Sequence, residues 1–170
     1  LRTATANVRK AISTIIDRDF AANDILGGLG AAAATIVPSV AIGWDNTIAP
    51  RDYSIDAAKA LMELAGYDYD DLAAPDADGK YTDFHFSIDV LSPNTNPARN
   101  DWAALVVETL PKIGIGVGEH DSTGWAEIGP RTWGYEANVT LANGTTVVNY
   151  NPPSYDDEGF DVLFVGYGWD

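Results

Sequence analysis

The sequence predicts an α/β fold: a mixed sheet with βαβ units, flanking helices and an inserted β-hairpin. Three stretches predict it. Phe84, Phe86, Ile88 and Val90 alternate with His85, Ser87 and Asp89, the two-residue period of a strand with one apolar face. Trp102, Leu105, Val106, Thr109, Leu110 and Ile113 then recur at helical spacing, and a short strand from Ile115 to Glu119 follows. Strand, crossover helix and strand over about 35 residues form a βαβ unit, which predicts parallel pairing with a right-handed crossover. Val162 to Val165 is a continuous apolar run, as in strands covered on both faces, and the strand at 160 to 166 closes a second such unit.

The other elements have local signatures. Val8, Ala11, Ile12, Ile15 and Ile16 share one face of a helix predicted over residues 7 to 18, with Arg9, Lys10, Ser13, Thr14 and Asp17 opposite. A second short helix follows, capped by Asp19 and ended by Gly27-Gly28. Gly30 to Trp44 reads as an apolar, irregular connection punctuated by Pro38 and Gly43, and Asn46 to Asp52 as loop. Ser54 is the N-cap of a helix from Ile55 to Ala65, on which Ala58, Leu61 and Ala65 share a face and which Gly66 stops. Asp76-Ala77-Asp78-Gly79-Lys80 looks at first like half a calcium loop. With Gly79 at the sixth position, however, Ala74 would stand first and His85 twelfth, so two oxygen ligands are missing and a reverse turn is predicted. Pro111 should bend or end the last turn of the helix that starts near Trp102. Thr123 to Trp133 reads as a helix weakened by Gly129-Pro130. Ala137 to Leu141 and Thr145 to Asn149 flank Asn143-Gly144, the signal of a type I′ hairpin.

Composition bounds the function. With 170 residues and a 46% apolar share, the chain (1–170) reads as a single domain with one substantial core. No run reaches the ~18 apolar residues of a membrane span. Acids outnumber bases 25 to 10, and the net charge of −15 argues against nucleic acid or an anionic membrane as partner. The absence of Cys excludes disulfides, thiolate metal sites and Cys nucleophiles. The start at Leu1-Arg2-Thr3 reads as a piece of a longer precursor.

Reactive groups are scarce. His85 and His120 lack the i, i+4 partner of a helical zinc pair and read as structural or solvated. There is no Gly-x-Ser-x-Gly elbow and no Lys after a glycine loop. Gly114-x-Gly116-x-Gly118 follows a helix and lies within a strand, the wrong context for a dinucleotide fingerprint. No cofactor and no metal is expected. Trp44, Trp125, Trp133, Tyr167 and Trp169 fall in loops or at element ends, where flat side chains stack on ligands; Trp102, in register with Leu105 and Val106, reads as core. The closing Gly166-Tyr167-Gly168-Trp169-Asp170 combines permissive backbone, a stacking surface and a charge at a strand's carboxyl end, where open α/β sheets gather ligands. It reads equally as an amphipathic strand end with a helix-capping Asp.

Taken in order, the segments resemble one lobe of the family 5 extracellular solute-binding proteins, the dipeptide and oligopeptide receptors of ABC importers. Val8-Arg9-Lys10-Ala11-Ile12 through Ile16-Asp17-Arg18 resembles the family's V-R-x-A-I followed by I-D-R, and Gly30 to Pro38 its G-x-x-A to Pro connection. Tyr53, Ala58, Lys59, Leu61, Ala65, Gly66 and Tyr67 match Y-x-x-x-x-A-K-x-L-x-x-x-A-G-Y. Asp78-Gly79-Lys80 fits the turn before a strand, Leu110 to Ile115 fits L-x-K-I-G-I, and Phe160-Asp161 to Asp170 fits Y/F-D followed by G-W-x-x-D. The resemblance spans about residues 8 to 119 and 160 to 170, with the hairpin region as a departure.

It implies a periodic set of further expectations: a type II periplasmic-binding-protein-like fold, no catalysis, an extracytoplasmic location, and most of the second, C-terminal lobe of a two-lobed receptor. The first lobe of the same protein and a membrane permease would be the partners. By position Asp170 matches the carboxylate that pairs with a peptide's N-terminal ammonium, a charge-assisted bond with which water competes poorly. Tyr167 falls on the family's usual Trp, and Trp169 replaces a typically small residue, which narrows the pocket or favours stacking on sugars. The expected ligand-binding residues are Asp170, Trp169, Gly168, Tyr167 and Trp44. No Arg stands in the closing strand to receive a peptide carboxylate, which leaves Arg131 as a candidate. Peptide binding is the leading expectation, oligosaccharide binding through Trp44, Tyr167 and Trp169 the alternative, and an acidic hydrolase the reading from a different class.

Overall fold

The computed structural model describes residues 5–35, 41, 44, 45, 47–133, 136–149 and 159–166, and for 136–139 and 147–149 the backbone alone. The chain forms two compact units, Leu1–Ser87 with Ala104–Gly116, and Ile88–Ala103 with Val117–Asp170.

In the first unit helix α1 (Ala6–Thr14) packs on helix α3 (Ile55–Glu63). The apolar stripe read from the sequence supplies the interface: Val8, Ala11, Ile12 and Ile15 are buried, as are Ala58 and Met62. On α3 the buried pair is Ala58 and Met62 rather than the expected Leu61 and Ala65, an i, i+4 stripe turned by one residue. α1 ends four residues before the predicted boundary because the Arg18 guanidinium folds back onto Ser13 O (2.9 Å), Ile16 O (3.3 Å) and Ser13 Oγ (2.9 Å) and closes a break there. Helix α2 (Arg18–Phe20) is capped by Asp17, whose carboxylate accepts the Phe20 N–H at 2.9 Å; the predicted cap, Asp19, lies inside the element. A π-helical turn, Ala21–Ile25, continues it until Gly27 and Gly28 turn left-handed. Ser54 caps α3 as expected, with Ala57 N–H donating to its Oγ at 3.1 Å. The acidic segment is the predicted reverse turn, since Asp76 Oδ1 accepts the N–H groups of Asp78 (3.0 Å) and Lys80 (2.8 Å).

The sheet has strand order β2-β1-β5, with β1 at Phe86–Pro93, β2 at Ile115–Thr123 and β5 at Val162–Leu163. β1 and β5 pair in parallel, Val90 opposite Val162 and Leu91 opposite Leu163. His85 N–H to Gly114 O and Asn94 N–H to Thr123 O, both 2.9 Å, bracket the β1 and β2 pair and make it parallel too. The βαβ prediction therefore holds, with helix α4 (Pro97–Thr109) as crossover. Pro111 has the expected effect: the helix tightens into a 3₁₀ turn over Leu110–Ile113 and stops at left-handed Gly114. β1 runs three residues past its predicted end because Leu91, Ser92 and Pro93 are buried as well, so the two-residue alternation disappears from the sequence there.

Helix α5 (Trp125–Trp133) includes Pro130, and a hairpin of β3 (Glu136–Thr140) and β4 (Thr146–Asn149) follows, as predicted. Its turn differs. A type I′ turn needs positive φ at both central residues, yet only Gly144 has it (φ 80°). Gly144 N–H donates to Leu141 O at 2.8 Å and Leu141 N–H to Thr145 O at 2.9 Å, so the connection is a type I turn closed by a left-handed glycine.

Candidate functional site

Ligands of open α/β sheets gather beyond the carboxyl ends of the strands. Here that end carries Ser92 and Pro93 of β1, Thr123 of β2, and Phe164 to Gly166 after β5, all in the second unit. Tyr167, Gly168, Trp169 and Asp170 lie outside the described residues. Gly166, which leads into them, is described, and its surroundings are informative. The Arg99 guanidinium lies against the Gly166 Cα so closely that any side chain at 166 would collide with it.

Arg99 owes its place to the start of α4. Asn96 Oδ1 accepts the Arg99 N–H at 3.0 Å, which makes Asn96 the N-cap and Pro97 the first helical residue. The Arg99 side chain is half-buried, and among the described residues no carboxylate or carbonyl engages its guanidinium. In a chain of net charge −15, a planar five-donor cation at a strand's carboxyl end can receive an anionic group. The sequence reading missed it because it looked for an arginine in the closing strand, whereas the fold delivers one from α4. The available signal was Asn96-Pro97, which marks a helix start and puts Arg99 in its first turn.

Arg131 is already engaged. Its Nη1 stands 2.5 Å from Asp121 Oδ2 and its Nη2 3.2 Å from Gly159 O, so it joins α5 to β2 and to the segment before β5. The side chain considered as a carboxylate receiver thus already holds two structural partners.

The aromatic residues divide. Trp102 packs edge-on against Phe164 at 5.9 Å between centroids, as a core residue should, while its Nε1 is buried without an acceptor among the described residues. Trp125 and Trp133, at the two ends of α5, stack at 6.2 Å and 26°, and Trp133 is 37% exposed. Trp44 belongs to the first unit, where it is half-buried in a loop beside Asp45. The Asp45 carboxyl is held below the usual carboxylate range by hydrogen bonds from the Thr47 hydroxyl and N–H.

The Gly114, Gly116 and Gly118 run now has a structural cause. A Cβ at Gly116 would stand 2.5 Å from Ser87 Oγ, and one at Gly118 2.5 Å from Asp89 Oδ1. The bare face of β2 lets β1 side chains cross it, and Asp89 uses the space to accept the Glu119 N–H at 2.9 Å. Across the other edge of β1 the Asp161 carboxylate accepts the Asp89 N–H at 3.1 Å. His85 lies against Tyr67 and Tyr69, its pKa lowered by burial although Asp71, Asp83 and Asp68 pull the other way. His120 Nε2 stands 3.0 Å from the buried Ser92 Oγ. Both histidines are built into the structure.

The model of the bacterial extracellular solute-binding proteins, family 5 middle region, matches residues 2–170. The chain belongs to this family. Family 5 members are transport-associated binding proteins, not enzymes, and the hydrolase reading falls away; the chain is extracytoplasmic, as the resemblance implied. The oligopeptide-binding protein AppA of Bacillus subtilis is 30% identical over 141 residues, which are 78% of this chain and 25% of AppA. The chain thus spans about a quarter of the length of that relative. The structure of B. subtilis AppA in complex with a nonapeptide is similar with a TM-score of 0.67 and 26% identity, over 96% of this chain and 28% of that one. DppA of Helicobacter pylori, in complex with the peptide STSA, shares the fold with a TM-score of 0.57 and 24% identity, over 78% of this chain and 23% of that one. The type II lobe architecture expected from the ordered family 5 motifs is borne out.

Proposed function

We propose that this chain is the solute-capture lobe of an ABC-importer receptor, that it binds di- and oligopeptides together with the other lobe of the same protein, and that it delivers them to a membrane permease. The observation that carries the peptide reading is the Arg99 guanidinium over Gly166, at the carboxyl ends of the strands, which no carboxylate or carbonyl among the described residues engages. A peptide offers opposite charges at its two ends. Arg99 receives the carboxylate, and Asp170, four residues beyond Gly166, takes the ammonium that the family resemblance assigns to it. Tyr167 and Trp169 are the remaining proposed contacts of this unit.

Calorimetry on the complete protein tests this with oligoalanine peptides supplied as free acids, C-terminal amides and N-acetyl derivatives. A hydrogen bond to a charged group contributes about 1.5–3 kcal/mol, so Arg99→Ala should weaken free acids about 10- to 100-fold and leave amides unchanged. Asp170→Ala should remove the preference for a free amino terminus over the N-acetyl form. Failure of every peptide to bind, or equal losses for acids and amides, overturns the assignment.

A second reading has its own observation, the stacked Trp125 and Trp133 pair with one indole exposed. Such a platform suits a sugar ring. Tryptophan fluorescence quenched by oligosaccharides and not by peptides would favour it.

A further inference from the structure

Ser92 is a fully buried hydroxyl on β1, and its surroundings form a chain of polar groups. Ser92 Oγ lies 3.2 Å from Asn100 Oδ1 on α4 and 3.0 Å from His120 Nε2 on β2. Ser122, also on β2, donates its hydroxyl to the same Asn100 Oδ1 at 2.5 Å. With Asn100 Oδ1 facing both hydroxyls, the protons available set the direction of each bond. Asn100 Oδ1 can only accept, so Ser92 gives it its single proton and has none left for the imidazole. His120 Nε2 must therefore carry a proton and donate to Ser92.

We propose that His120 is a positioning residue for solute capture: its Nε2–H, relayed through Ser92 Oγ to Asn100 Oδ1, holds the first turn of α4 so that the Arg99 guanidinium stays over Gly166. The reason is adjacency. Asn100 follows Arg99 directly, and its N–H donates to Asn96 O at 3.1 Å, in the turn whose cap is Asn96. A buried hydroxyl such as that of Ser92, with both its bonds made, fixes one arrangement, whereas removing the donor leaves a buried acceptor unpaired. Without the His120 proton, Ser92 Oγ loses a donor, and the Asn100 anchor is free to move Arg99 with it.

This inference rests on the reading of Arg99 as the receiver of the solute carboxylate, and its test separates the two. In the complete protein, ¹⁵N spectroscopy of the neutral imidazole should find the proton of His120 on Nε2, an outcome independent of any solute. A proton found on Nδ1 alone overturns the relay. With trialanine as probe, His120→Leu should weaken the free acid about tenfold and leave the C-terminal amide unchanged, while His120→Gln, which keeps an N–H donor, should restore binding to within about threefold. Equal loss for acid and amide in the Leu variant, or no rescue by Gln, overturns the positioning role. Where Arg99→Ala itself leaves acid and amide equal, the carboxylate reading has failed, and the spectroscopic result still decides the relay.

Discussion

Each of the two units is held together internally by a different chemistry. In the first, α1 and α3 meet through Val8, Ala11, Ile12, Ile15, Ala58 and Met62, and polar groups serve mainly as caps and turn closures. In the second, charged and hydroxyl groups join elements far apart in sequence: Arg131 with Asp121 and Gly159, Asp161 with Asp89, Ser92 with His120 and Asn100. Aliphatic packing is non-directional and tolerates a turned helix face, as the one-residue shift on α3 illustrates. Hydrogen bonds are directional, so in the second unit they fix the first turn of α4, which carries Arg99, in one place.

Substitutions can break or sharpen this contrast, and the largest effect belongs to the first unit. Met62 is wholly buried, and Met62→Ala should cost about 2–5 kcal/mol of stability, measured by urea unfolding, with solute selectivity unchanged. A drop under about 1 kcal/mol would mean that the α1 and α3 interface is not the stabilising core claimed here. In the second unit the side chains of Arg131 and Asp121 are 11% and 25% exposed, so Asp121→Asn should cost less, about 1–3 kcal/mol. No change in unfolding midpoint would show that this pair only decorates the unit.

The smallest effect is a pH dependence at His85. Burial, the largest influence, lowers its folded pKa below the ordinary histidine value of about 6.5, so the unfolded chain takes up the proton first. The stability this group contributes is thus present above about pH 6.5 and declines as pH falls through that value toward its folded pKa. Between pH 7 and pH 5 the urea midpoint should fall, and His85→Gln should flatten that part of the curve. A midpoint that rises on acidification would reverse the sign assigned to the group.

The contrast also explains what could be read from the sequence. Period and capping are local, so α1, α3, α4, the sheet strands and the hairpin were legible, as were the Ser54 cap and the Pro111 effect. Boundaries failed where a distant group intervened: Arg18 closes α1 early by reaching back, and burial on both faces hides the end of β1. The site residues at 167–170 were read only through the ordered family-like motifs and lie outside the described residues. Arg99 and His120 were not legible, because a guanidinium on one element becomes the neighbour of a glycine on another only after the sheet has formed. Nothing in the spacing of Arg99 and Gly166, or of Ser92 and His120, encodes those meetings.

The bare face of β2 has a consequence for how such a chain can change over generations. Because Asp89 occupies the space where a side chain at 118 would stand, the two positions do not vary independently. A lineage that fills position 118 first meets a collision, whereas one that shortens residue 89 first gives up a bond to Glu119 and opens room. The order of steps, and not only their sum, decides which sequences are reachable, and a stripe of glycines becomes a ratchet that keeps one carboxylate in place.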